Sequence, residues 1–223
     1  MTLSVNHAGA HGFDAMRQSM VASQLRTSAV NDPRVVEAMA AVRRELFLPA
    51  EHKAIAYRDT LLPLIGGRRH NSPLATGRLL TEARVQAGDH VLLIGAAGGY
   101  AAAVLAKLAA SVVALEEEDS LAGLARDALA GSGVTVVQGR LADGWAAEGP
   151  YDLLVIDGAV EHVPDALVAQ IKPGGRAVTG ILDRGVTRLA AGRRTDGGFG
   201  LVDFADIECA QLPGFAIPKT FKF

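Results

Sequence analysis

The stretch His90-Val-Leu-Leu-Ile-Gly95-Ala-Ala-Gly-Gly99-Tyr100, followed by Val112-Val-Ala-Leu-Glu116, decides the fold. No charge interrupts Val91 to Ala106, and after Lys107 a second uncharged run extends from Leu108 to Leu115. A membrane helix needs about 20 consecutive apolar residues. This run is shorter and is broken by Gly95, Gly98 and Gly99. It reads as strand, glycine turn, helix, strand. A strand that ends in a glycine-rich turn lets the backbone approach a ligand and opens a helix N-terminus beside it. Glu116 closes the next strand, twenty-one residues after Gly95. At that interval a carboxylate can accept from both hydroxyls of a ribose. The spacing Gly95-x-x-Gly98-Gly99 is not G-x-G-x-x-G, so a nicotinamide cofactor is disfavoured. Alone, the turn is also compatible with a plain strand-to-helix connection.

Outward from this stretch the pattern alternates. Strands are expected at 90–94, 112–116, 134–138, 151–157 and 176–181, and helices at 100–109, 120–129 and 164–171. Repeated β-α-β units imply a doubly wound, mostly parallel sheet with right-handed crossovers. Residues 182–206 read as closing strands around an Asp196-Gly197-Gly198 turn. Upstream, 16–50 is helical in character, with a cap at Asn31 or Asp32 and Pro33 in the first turn. Residues 57–73 are irregular, which in a loop this long is often functional. Leu74 to Ala83 is a short helix. The tail carries Phe215, Phe221 and Phe223 and is expected to dock. No repeat or linker divides the chain. One domain over 1–223 is expected, with 16–85 as a helical and substrate-loop segment and 86–223 as the α/β core.

The 223 residues are 49% hydrophobic and 21% charged, which excludes wholesale disorder. The net charge is −2, so no basic field exists to bind nucleic acid. Cys209 is the only cysteine and forms neither an internal disulfide nor a metal cluster. A reducing compartment is expected. The start lacks a basic segment leading into an apolar one, so no signal peptide is read. The expected setting is cytoplasmic, without membrane or nucleic-acid partners.

The chain resembles the protein-L-isoaspartate O-methyltransferase family from about Met20 to Gly180. Asn31-Asp-Pro-Arg-Val-Val-Glu-Ala-Met39 and Val42-Arg-Arg-Glu-Leu-Phe-Leu-Pro49 are similar to its N-terminal signature. So is Ala56-Tyr57-Arg58-Asp59 leading to Leu62-Pro63-Leu-Ile-Gly66. Gly99-Tyr100-Ala-Ala-Ala-Val104, Gly144-Trp145, Pro150-Tyr151-Asp152, Pro164-x-x-Leu167-x-x-Gln170 and Lys172-Pro-Gly-Gly-Arg176 continue the series. Leu212-Pro-Gly-Phe215 and Phe221-Lys-Phe223 resemble a bacterial subgroup of the family. The resemblance implies a Rossmann-like methyltransferase fold with an N-terminal helical segment and S-adenosyl-L-methionine as cofactor. It also implies methyl transfer to a protein carboxyl group, on proteins or peptides carrying isoaspartate. Gly95, Ala97, Gly99, Tyr100, Glu116, Arg140 and Leu141 are the implied cofactor residues, and Asn71 and Ser72 lie on the substrate side.

The chain departs from the family at several of these places. The family's Gly-Gln-Thr-Ile-Ser, with Pro two residues on, aligns with Gly67-Arg68-Arg69-His70-Asn71-Ser72-Pro73, so the serine falls on Asn71. The glycine turn carries Ala97 where the family has its middle glycine, and a positive φ there would strain alanine by about 1 kcal/mol. The family's Gly-Asp-Gly aligns with Gly139-Arg140-Leu141. Arg140 offers no acceptor to an adenine amino group, and such a loss weakens affinity about 5- to 150-fold. The backbone at Leu141 could still pair with the ring. These changes leave two rivals beside the methyltransferase. One is a degenerate, non-catalytic member that binds a ligand or partner. The other is a nicotinamide-dependent reductase.

Other residues carry a plain and a sharp meaning. Arg68-Arg69-His70 is either an acid-recognising cluster or solvated loop charge. Asp157, at a strand's C-terminal end, touches ligand or caps structure. Glu161 and His162 are too few for a metal site. Glu117, Glu118 and Asp119 suit a solvated helix start. Trp145 reads as packing and Cys209 as a passive thiol. Oligomeric state is not legible.

Overall fold

The computed structural model describes residues 6–217. A helix α1 (Asn6–Met20) leads into α2 (Pro33–Ala41). Asp32 caps α2 by accepting from the backbone N–H of Arg34 at 2.9 Å, with Pro33 in the first turn, as the Asn31-Asp32-Pro33 signal predicts. The irregular 57–73 stretch holds a two-residue hairpin, β1 (Leu62–Pro63) and β2 (Arg69–His70). Ser72 then caps α3 (Pro73–Ala83) by accepting from Ala75 N–H at 3.2 Å.

The core begins with β3 (His90–Ile94), α4 (Tyr100–Leu105), β4 (Ser111–Glu116), α5 (Asp119–Ala128) and β5 (Val134–Gln138). It continues through β6 (Tyr151–Val160), α6 (Asp165–Val168), β7 (Ile171–Asp183), β8 (Val186–Thr195) and β9 (Gly198–Ala205). The sheet order is β5-β4-β3-β6-β7-β8-β9. The first five strands run parallel, and β8 and β9 close the sheet antiparallel. This is the doubly wound arrangement expected from the alternating pattern. The helices at 100 and 164 are shorter than their apolar runs suggested, and β7 starts at Ile171, ahead of the expected Arg176.

Alternation along β3 divides the core. Val91 and Leu93 face a cluster containing Val35, Met39, Leu79, Leu80 and Tyr100. Leu92 and Ile94 face the opposite cluster, with Leu115, Leu141, Ile156, Leu167, Leu212 and Phe215. Strands covered on both faces are therefore continuous apolar runs. The N-terminal helices cover the first face and the C-terminal segment covers part of the second. Register aligns Ile94 with Leu115 on one side and Ile156 on the other, so the carboxyl ends of β3, β4 and β6 share one crevice. In open α/β sheets that crevice is where ligands bind. Among the described residues no helix is long and apolar enough to cross a membrane.

Candidate active site

The glycine turn folds as its composition requires. Gly95 has φ +80° and Gly99 φ +100°, both in the left-handed region. Gly98 lies against the backbone carbonyl of Phe47 so closely that no side chain fits. Ala97 has φ +49°. An L-residue there carries roughly 1–2 kcal/mol of strain, so the positive φ that makes this substitution strained is present. The Ala97 N–H donates to Glu116 Oε2 at 2.7 Å, which fixes the turn to the end of β4.

Glu116 is completely buried. Its Oε1 accepts from the backbone N–H groups of Glu117 (2.9 Å) and Glu118 (3.1 Å) and is ion-paired with the guanidinium of Arg68. Arg68 is thus buried across the crevice, which excludes the solvated-loop meaning for this residue. Its neighbour Arg69 stays exposed, and His70 is buried. The Arg68 Nε and Nη2 find no protein partner among the described residues.

The implied substrate-side residues sit next door. Asn71 Nδ2 donates to Asp157 Oδ1 at 2.8 Å, and its Oδ1 accepts from the backbone N–H of Ala210 at 2.8 Å. Thr76 lies 3.4 Å from the same Asp157 oxygen. Burial pushes the Asp157 carboxyl above the ordinary carboxylate range, against the bond from Asn71 and the nearby Arg44 and Arg68. Ser72 is occupied as the α3 cap. Leu141 joins the apolar cluster beside Ile94 and Leu115. Arg140 points outward, largely exposed and 3.9 Å from Asp143. The fold does not bring its side chain in, and the Tyr100 ring packs against Phe47, His70 and Arg44 on the opposite face of the sheet from Leu141.

Arg44 is the residue sequence reasoning missed. It is fully buried and donates to Ala56 O (2.8 Å) and Asn71 O (2.5 Å). Its guanidinium also lies over the Tyr100 ring, 4.7 Å from the centroid. Burial lowers its pKa and pushes Tyr100 up to about 12. Its place beside Arg43 in Val42-Arg-Arg-Glu-Leu-Phe47 marks an arginine pair in an apolar stretch but does not say which of the two is buried.

The family model for protein-L-isoaspartate(D-aspartate) O-methyltransferase matches residues 16–202. The chain belongs to that family. The isoaspartate methyltransferase family likeness extends to individual proteins. A protein-L-isoaspartate O-methyltransferase of Rhodopseudomonas palustris is 39% identical over 207 residues, covering 91% of this chain and 82% of that protein. One from Methylorubrum populi is 36% identical over 203 residues, covering 89% and 95%. A solved protein-L-isoaspartate O-methyltransferase superposes with a TM-score of 0.78 at 21% identity, over 89% of this chain and 66% of that longer one. A Plasmodium falciparum structure described as this methyltransferase in complex with S-adenosyl-L-homocysteine gives 0.73 at 17% identity, covering 88% and 97%. Both superpositions establish the fold. Within this isoaspartate methyltransferase fold, Glu161 and His162 hold the tail: Glu161 accepts from Ile217 N–H at 2.7 Å, and His162 Nδ1 lies 3.0 Å from Phe215 O. Phe221 and Phe223 lie outside the described residues.

Proposed function

We propose that this chain transfers a methyl group from S-adenosyl-L-methionine to the side-chain carboxyl of isoaspartyl residues in proteins or peptides. Family membership over residues 16–202 carries this reading. The non-catalytic alternative is not favoured by the named relatives. When bound, S-adenosyl-L-methionine supplies a sulfonium-activated methyl that an ionised carboxylate accepts directly. The acceptor is ionised at neutral pH, so the chain needs no general base. Its task is positioning and exclusion of water.

The frame fits this cofactor. Gly95, Ala97 and Gly99 offer close backbone approach, Glu116 stands at the ribose interval, and Leu141 lines the apolar end with Ile94 and Leu115. What faces Gly95 is side chain, from Leu212 and Arg68, and not backbone. In this reading Asn71 orients the acceptor, with Asp157 holding its amide. A polar hollow of about 360 Å³, bordered by Gly67, Arg69, Thr187, Glu208 and Gln211, opens beside the loop. One apolar cluster runs from Met20 to Cys209, which supports reading the helical segment and the α/β core as one domain. A reducing cytoplasmic setting agrees with the lone cysteine.

The test is transfer of labelled methyl from S-adenosyl-L-methionine to an isoaspartyl peptide, with the aspartyl isomer as control. Base-labile label on the isoaspartyl peptide alone supports the reading. No label above the control, from protein shown to be folded, overturns it. Glu116→Gln should abolish transfer by weakening the cofactor site. Retention of full transfer in Asn71→Ala would remove Asn71 from its role.

A further inference from the structure

The crevice that should hold the cofactor is filled by the chain itself. On the ribose side, Arg68 Nη1 engages Glu116 Oε1, and Arg68 Nη2 lies 3.4 Å from where a side chain on Gly95 would begin. On the other side, the methyl groups of Leu212 stand 3.0 and 3.1 Å from that same point, and its Cγ comes within 2.5 Å of the corresponding point on Gly158. Leu212 packs in one cluster with Ile94, Leu115, Leu141 and Ile156. Its backbone is laid along the end of β6: Ala159 N–H donates to Ala210 O at 2.7 Å, and Leu212 N–H donates to Ala159 O at 3.0 Å. Asn71 ties the two halves together, because it lies three residues from Arg68 and accepts from Ala210 N–H.

We infer that Arg68 and Leu212 form an internal plug that the cofactor must displace. This inference rests on the cofactor reading above and deepens it. The two halves differ in how they are held. The tail backbone is bonded to β6, so the Leu212 side chain has to swing or its segment has to lift. Among the described residues Arg68 is anchored at Nη1 alone, while Nε and Nη2 are buried without partners there. Unsatisfied buried donors weaken an otherwise strong ion pair, and Glu116 keeps three backbone donors when Arg68 leaves. The plug is thus hinged at the arginine.

A ligand that must first break such contacts loses affinity by the fraction of time the site is open. Calorimetric titration with S-adenosyl-L-homocysteine on the wild type, Arg68→Gln, Leu212→Ala and the double variant tests this. The expected result is binding about tenfold or more tighter in each single variant than in the wild type, and tightest in the double. Hydrogen exchange on the wild type gives a second measurement that needs no substitution. Ligand addition should speed exchange at the Leu212 amide while slowing it at Ala97. Equal, measurable affinity in all four proteins would overturn the plug and leave the cofactor reading standing. No binding by any folded variant would overturn both.

Discussion

Asn71 and Asp157, eighty-six positions apart, meet through a 2.8 Å amide-to-carboxylate hydrogen bond inside the protein. The same Asn71 side chain accepts from Ala210 N–H. Truncation in Asn71→Ala therefore strands a buried carboxylate and a buried backbone donor together. At about 1–3 kcal/mol for each unsatisfied group, a loss of about 2–6 kcal/mol is expected. Thr76→Val, which removes only the longer 3.4 Å contact, should lose about 1 kcal/mol or less. Urea unfolding of both variants checks the ratio. Equal losses would show that Asn71 is no more than a packing residue.

His70 should make stability depend on pH. Burial, reinforced by the Arg44 charge, holds its imidazole well below the ordinary value of 6.5. His70 Nδ1 lies 3.2 Å from both Arg44 Nη2 and Asn71 O, and Nε2 has no partner among the described residues. The unfolded chain takes up a proton near pH 6.5 while the folded chain does not. This contribution is complete above that pH and is lost as pH falls toward the folded value, by up to about 1.4 kcal/mol per pH unit. His70→Gln should flatten the slope between pH 6.5 and 5. An unchanged slope would mean the ring titrates normally.

Phe215 anchors the end of the described chain. It is almost fully buried in the cluster with Leu92, Ile94 and Ile156. Phe215→Ala should destabilise by about 3–5 kcal/mol, the range for a large aromatic removed from a packed site. Thermal or urea unfolding reads this directly, and a loss below about 1 kcal/mol would show that the tail is only loosely docked.

Cys209 should be inert in the native state. Burial, aided by Asp157 and Glu208, pushes its thiol well above the ordinary range. With only one cysteine in the chain, a disulfide reagent at pH 8 reports on this position alone. Reaction should be slower than in denaturant by about an order of magnitude or more.

The fold was legible because its strands are buried on both faces. Val91 to Ile94 and Leu153 to Ile156 have no polar side to confuse the pattern, and Asp32 announces its helix by capping, whereas Ser72, read as a substrate-side residue, shows itself as a cap only in the structure. The cofactor frame followed from the glycines and the position of Glu116. What fills that frame was not legible. An arginine in a loop reads as solvated, and its pairing with Glu116 depends on the hairpin of Leu62–His70 turning inward. Leu212 signals docking by its apolarity but carries no information on where it docks. Arg44 was hidden for the same reason: only the assembled core shows which of two neighbouring arginines goes inside.

The Arg68–Glu116 pair also makes the order of sequence change matter. Glu116 has the turn and the start of α5 to hold it, so a lineage can lose or regain the arginine and keep a satisfied carboxylate. The reverse step strands a buried guanidinium whose other two nitrogens already lack partners among the described residues. Divergence at this site is therefore directional: position 68 can drift first, while position 116 is locked for as long as the arginine remains.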